Sequence, residues 1–136
     1  FTQSGIEVWE RTDVPWMLSH PRFLPGDDEF VHLELVGEWR TGTRYIVTRR
    51  ADRGDEGRRS KPLAAEVSEW ALSLDGALAA CRHTVWVHVY PLRADFTKPL
   101  ATLRNTNRKE FTGIAFHPGG KYLAATSNDE TVKLYD

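Results

Sequence analysis

Cys81, His83 and His88 are the first residues whose chemistry stands out, because a thiolate and two imidazoles are zinc ligands. Cys81 and His83 share one face of a strand pattern. Strict alternation puts His88, beyond a turn, in the opposite phase, and no fourth ligand stands nearby. The preferred reading is a small buried cysteine beside two strand histidines. Asp27-Asp28-Glu29 offers carboxylate oxygens to a hard cation. It lacks the spacing of a calcium loop, so a solvated turn after Pro25-Gly26 is expected. The segment Arg49 to Lys61 holds six basic and three acidic residues, including an Arg53-Gly54-Asp55 tripeptide of the kind that engages cell-surface receptors in extracellular proteins. Phosphate binding is one use of such a run. The interspersed acids and missing aromatics favour a solvated inter-strand loop over a nucleic-acid stripe. No Gly-x-Ser-x-Gly elbow frames a nucleophile, and no Gly-rich phosphate loop opens a helix. No catalytic, cofactor-binding or metal-ligating residue is therefore assigned, no cofactor is expected, and the chain is read as not an enzyme.

The elements that would position any site are β-strands. At 136 residues and a formal net charge of -1, the chain has the size of one domain, and no charge excess points to nucleic acid or an anionic membrane. No apolar run reaches the roughly 18 residues of a membrane span. Phe1-Thr-Gln-Ser-Gly lacks an initiator Met and a signal-peptide pattern, and reads as a cut or processed end. A single cysteine excludes an intrachain disulfide, which suits a cytoplasmic setting.

The last 26 residues alternate apolar and polar types and are punctuated twice. Phe111 to His117 reads as a strand with Phe111, Gly113, Ala115 and His117 on one face and Thr112, Ile114 and Phe116 on the other. Pro118-Gly119-Gly120 turns the chain, Tyr122 to Thr126 is a small apolar strand, Asn128-Asp129 turns it again, and Thr131 to Tyr135 closes it. An earlier copy runs from Val67. Val67 matches Phe111, Trp70 matches Ile114 and Leu72 matches Phe116, each 44 residues apart. Leu78-Ala79-Ala80 then matches Leu123-Ala124-Ala125 once a one-residue gap is opened at Lys121. Pro99 to Arg104 reads as an outer strand between the copies.

The first half is less regular. Gly5 to Glu10 reads as a strand, Val14 to Gly26 as a loop or connector, and Glu29–Arg40 and Arg44–Arg50 as two strands joined at Thr41-Gly42-Thr43. Ala51 to Lys61 is expected to be an exposed or disordered loop. Trp70 and Trp86 fall in strand patterns and read as core. Trp16 and Trp39 lie near turns, where they are candidate anchors for a partner although core packing is the commoner fate.

Residues 63–136 resemble two blades of a WD40-repeat β-propeller, the last without its outer strand. Residues 1–62 read as divergent propeller strands with loops. The 44-residue spacing lies within the roughly 40–45 of that repeat. The resemblance implies an all-β fold of four-stranded antiparallel blades in a partial or open ring. It also implies a blade network from Ser127, Asp129, Thr131 and Tyr135, with Tyr135-Asp136 in the Trp-Asp position. The family's Gly-His pair has no counterpart, since Asn105-Thr106-Asn107 stands in its place.

About three blades' worth of chain is too few to close a ring, so further blades are expected from the same protein or another chain. The function implied is a non-catalytic scaffold for protein partners, with no nucleic acid and no membrane. The candidate contacts are Trp16, Trp39, Arg53, Asp55, Arg58 and Arg59. The alternatives are a structural or regulatory segment of a larger bacterial signalling protein or enzyme, and a partial propeller that self-assembles by oligomerisation.

Overall fold

The structure, a computed structural model, describes residues 16–17, 21–26, 28–63 and 67–136. The described residues form twelve strands in chain order: β1 (Trp16–Met17), β2 (Arg22–Phe23), β3 (Glu29–Val36), β4 (Thr43–Arg50), β5 (Glu56–Arg59), β6 (Val67–Leu72), β7 (Leu78–His83), β8 (Trp86–Pro91), β9 (Ala101–Arg104), β10 (Phe111–Phe116), β11 (Leu123–Ser127) and β12 (Val132–Tyr135). They form three antiparallel sheets, and none closes into a barrel. The first has the order β1-β3-β4-β5 with β2 also on β3, the second β6-β7-β8-β9, and the third β10-β11-β12. The fold is all-β, as the strand patterns require, and agrees with blades of an open propeller.

Two apolar layers hold the sheets together. Val31, Leu33 and Ile46 of the first sheet pack on Val67, Ala79, Cys81 and Tyr90 of the second. Ala80, Val87 and Val89, on the other face of the second, pack on Phe111, Leu123 and Ala125 of the third. The second sheet is thus apolar on both faces, which is why its strands read as nearly continuous hydrophobic runs.

Both repeats carry the same departure from strict alternation. The register shifts between Val67 and Glu69 in one and between Phe111 and Gly113 in the other. A β-bulge inserts one extra residue and so moves later side chains to the opposite face. Phe111 therefore shares its face with Ile114 and Phe116 rather than with Gly113 and Ala115, and all three pack on the second sheet. Val67, Trp70 and Leu72 repeat this arrangement against the first sheet.

The repeat register also differs from the residue-by-residue match. Leu72 pairs with Ala79 and Phe116 with Leu123, so Ala79 corresponds to Leu123 and no gap falls at Lys121. The extra residue sits in the following hairpin. There Asn128-Asp129-Glu130 replaces the two-residue turn Thr84-Val85 between His83 and Trp86.

Three expectations in the first half change. Within Val14–Gly26, β1 and β2 pair with β3. The strand from Glu29 ends at Val36, before the tight tip of the β3–β4 hairpin. Ala51–Lys61 is not a free loop: Glu56–Arg59 forms β5 on β4, and Ser60 is buried with its hydroxyl accepting from the Ile46 amide at 3.0 Å. Charged residues made this strand look like solvent, but one of its faces meets a buried carboxylate. The expected strand at Gly5–Glu10 lies outside the described residues.

Candidate functional site

The polar network of the third sheet starts at Ser127, the last residue of β11. Its Oγ accepts from Asn105 Nδ2 at 2.7 Å and from the Asp129 amide at 3.3 Å, and donates to the Glu110 carbonyl at 3.0 Å. Asp129 folds the next turn. Its Oδ1 accepts from the Thr131 amide at 3.1 Å and from the Thr131 hydroxyl, while Oδ2 accepts from Asn107. The Thr131 hydroxyl, then Asn107 and Ser127, hold the Asp129 carboxyl well below the usual carboxylate range. Such bonds favour the ionised acceptor.

Asn105, between β9 and β10, was not a candidate on sequence grounds, yet it closes the network. It is fully buried, donates a second bond to the Lys109 carbonyl at 2.9 Å, and accepts from Lys133 Nζ. Asn105 thus fills the gap that the family resemblance left, and its place in the Asn105-Thr106-Asn107 run is the sequence signal for it. Tyr135 is not drawn in. Its ring packs on the layer between the second and third sheets, and burial, then the Asp129 charge, pushes its hydroxyl pKa up. The network fastens the exit of one blade to the turn of the next. It contains no nucleophile paired with a base, and its chemistry is structural.

The candidate contact residues separate into two places. Trp39 lies 58% exposed at the β3–β4 tip. Arg53, Asp55 and Arg58 lie at the other end of β4, about 25 Å away at the usual rise of an eight-residue strand. Arg53 and Asp55 pair with each other at 3.1 Å, so the Arg-Gly-Asp charges are closed on themselves. Arg58 spans Glu29 at 3.9 Å, with its guanidinium 4.9 Å from the centre of the Phe96 ring. Arg59 forks onto Glu56 and reaches Glu34 at 2.9 Å. The Trp16 backbone pairs with Leu35 on β3.

Glu34 is the centre of a buried charge cluster on the first sheet. Arg49 donates to its Oε1 through both Nε, at 3.0 Å, and Nη2, and His32 Nε2 lies 3.4 Å from the same oxygen. Burial lowers the His32 pKa against the opposing pull of Glu34, so the ring is neutral near pH 7.

The metal candidates end differently from their sequence phase. The two-residue turn pairs Cys81 directly with His88, so both are on one face. The His83 and His88 rings stack at 5.0 Å and 19°, which presents faces rather than converging lone pairs. Burial pushes the Cys81 thiol up to about 12, opposing the thiolate a metal needs. Among the described residues, no three His, Cys, Asp or Glu side chains converge as a metal site. Of the carboxylate run, Glu29 is engaged by Arg58, and Asp27 lies outside the described residues.

The described residues thus hold a polar staple between the second and third sheets, and two exposed corners at opposite ends of β4. The chain is similar to a subunit of a protein complex. It is 33% identical over 72 residues to the target of rapamycin complex subunit wat1 of Schizosaccharomyces pombe, covering 53% of the chain. The chain spans 23% of that relative's length. No protein-family model matches the chain.

Proposed function

We propose that the chain is a non-catalytic interaction scaffold, a segment of a WD40-type propeller whose next surface is the outer face of the third sheet. One correspondence carries this reading. In the repeat register, Ala124, Val132 and Leu134 occupy the places of Ala80, Val87 and Val89. The earlier three are buried under the third sheet, whereas Val132 and Leu134 are 71% and 65% exposed. The third sheet therefore presents the kind of face that, one repeat earlier, docks a blade. An apolar sheet face of this kind marks an interaction site. Self-closure of copies into a ring is the weaker reading, because the described residues of the first sheet offer no matching apolar end. There the buried Phe30 and His32 lie beside the charged pair Glu34 and Arg49.

The reading is tested by sedimentation velocity with cross-linking. With no further blade present, wild type should bury this face against the same face of a second copy, with cross-links joining residues 111–136 of the two. Val132→Lys with Leu134→Lys should leave a folded 15.5 kDa monomer. A wild-type chain that is already a monodisperse, folded monomer, and that cross-links to nothing through this face, would overturn the proposal.

A further inference from the structure

Arg44, the second residue of β4, is the exception among the buried cations. Arg49 is equally buried but lies against Glu34 and donates to the Gly54 carbonyl. Arg44 is 6% exposed, and its Nη2 donates to the Trp39 carbonyl at 3.0 Å. Its Nε and Nη1 are buried without an acceptor. No carboxylate pairs with it among the described residues, and neighbouring Glu38 lends only its carbonyl, to Gly42. A buried guanidinium without counter-charge or full hydrogen bonding is costly. The missing groups are acceptors carrying negative charge.

The surroundings define how an acceptor arrives. The Trp39 ring lies over the guanidinium, 5.8 Å from ring centre to Cζ. Trp39 is 58% and Val36 44% exposed on the same hairpin. The indole is the exposed group over the cation, so an acceptor reaching Arg44 must displace it, with Val36 as the neighbouring exposed apolar side chain. We propose that Arg44 receives a glutamate or aspartate side chain from an extended segment of a partner protein, with Trp39 and Val36 packing on its apolar neighbours. This rests on the interaction reading above and assigns one contact its chemistry. Tryptophan and a desolvated arginine are the residue types that concentrate binding energy at interfaces.

The test uses the folded full chain with 15N-labelled arginine, and the Arg44 Nε–H resonance as readout. The probes are a blocked leucine–glutamate–leucine tripeptide, its glutamine counterpart and sodium acetate, each to about 10 mM, the range of a weak single contact. The glutamate peptide should shift the resonance saturably, with the glutamine peptide and acetate at least about tenfold weaker. Trp39→Ala should weaken the response about tenfold. Arg44→Met should abolish peptide binding, read on a fluorinated Trp39, without lowering the thermal midpoint. Should Arg44→Met not fold, the exposed Trp39→Ala carries the comparison. No saturable shift, equal response to the glutamine peptide, an acetate response as strong, or binding that survives Arg44→Met would each overturn the assignment. Its failure leaves the scaffold reading standing, because that reading is tested on a different sheet, at Val132 and Leu134.

Discussion

Asn105 Nδ2 lies 2.7 Å from Ser127 Oγ, joining the connection between the second and third sheets to the hairpin of the third. The bond is buried, so its loss leaves the serine hydroxyl and the Lys133 ammonium short of a partner. Asn105→Ala should destabilise the chain by about 1–3 kcal/mol. Urea unfolding should show a lower midpoint at an unchanged slope. A change below a few tenths of a kcal/mol would mean that water replaces the amide at no cost.

Glu34 neutralises Arg49 and meets Arg59 where water has little access. Glu34→Gln keeps the shape but leaves buried positive charge, and should cost about 3–5 kcal/mol. Glu56→Gln, at the exposed end of the same cluster, should cost about 1 kcal/mol or less. Equal losses in the two variants would contradict the burial argument.

Acid should weaken the fold through histidine before the carboxylates titrate. The folded His32 and His88 pKa values lie below the ordinary one, in both cases chiefly because burial disfavours the charged ring. Between the folded pKa and the unfolded value of about 6.5 the unfolded chain binds more protons, so stability rises with pH. It is complete above about pH 7 and is lost as pH falls through that window. For His32 the facing groups are Glu34, Arg49 and Arg59. Thermal midpoints from pH 5 to 8 should fall on acidification in wild type, and less so in His32→Gln.

Cys81 is fully buried, and its thiol is pushed up to about 12. At pH 8 the native chain should react with a thiol reagent only at the rate at which the second sheet opens. Mass spectrometry should show full labelling in urea and little without it. Rapid native labelling would place Cys81 outside the core.

Glu56–Arg59 and His88 show how far local pattern reaches. Strand order in the second and third sheets was legible because alternation, Gly-rich turns and a 44-residue match all report on a pleated backbone with buried faces. Glu56-Gly-Arg-Arg59 was illegible as a strand because its stabilising partners, Thr48 and Glu34, come from other strands. His88 was placed in the wrong phase because a two-residue turn pairs residues of opposite parity, which periodicity along one strand does not encode. Bulges after Val67 and Phe111 reversed faces for the same kind of reason: the extra residue is defined only against the neighbouring strand.

By itself the sequence determined the all-β class, the two repeats and the turns that separate their strands, since these follow from local conformational preference and the period-two pattern. The tertiary structure alone decided that Asn105 completes the Ser127 network, that Glu34 gathers Arg49 and Arg59, and that Arg44 is buried without an anion among the described residues. These are relations between residues distant in sequence, and their energies depend on burial, which exists only once the sheets have packed.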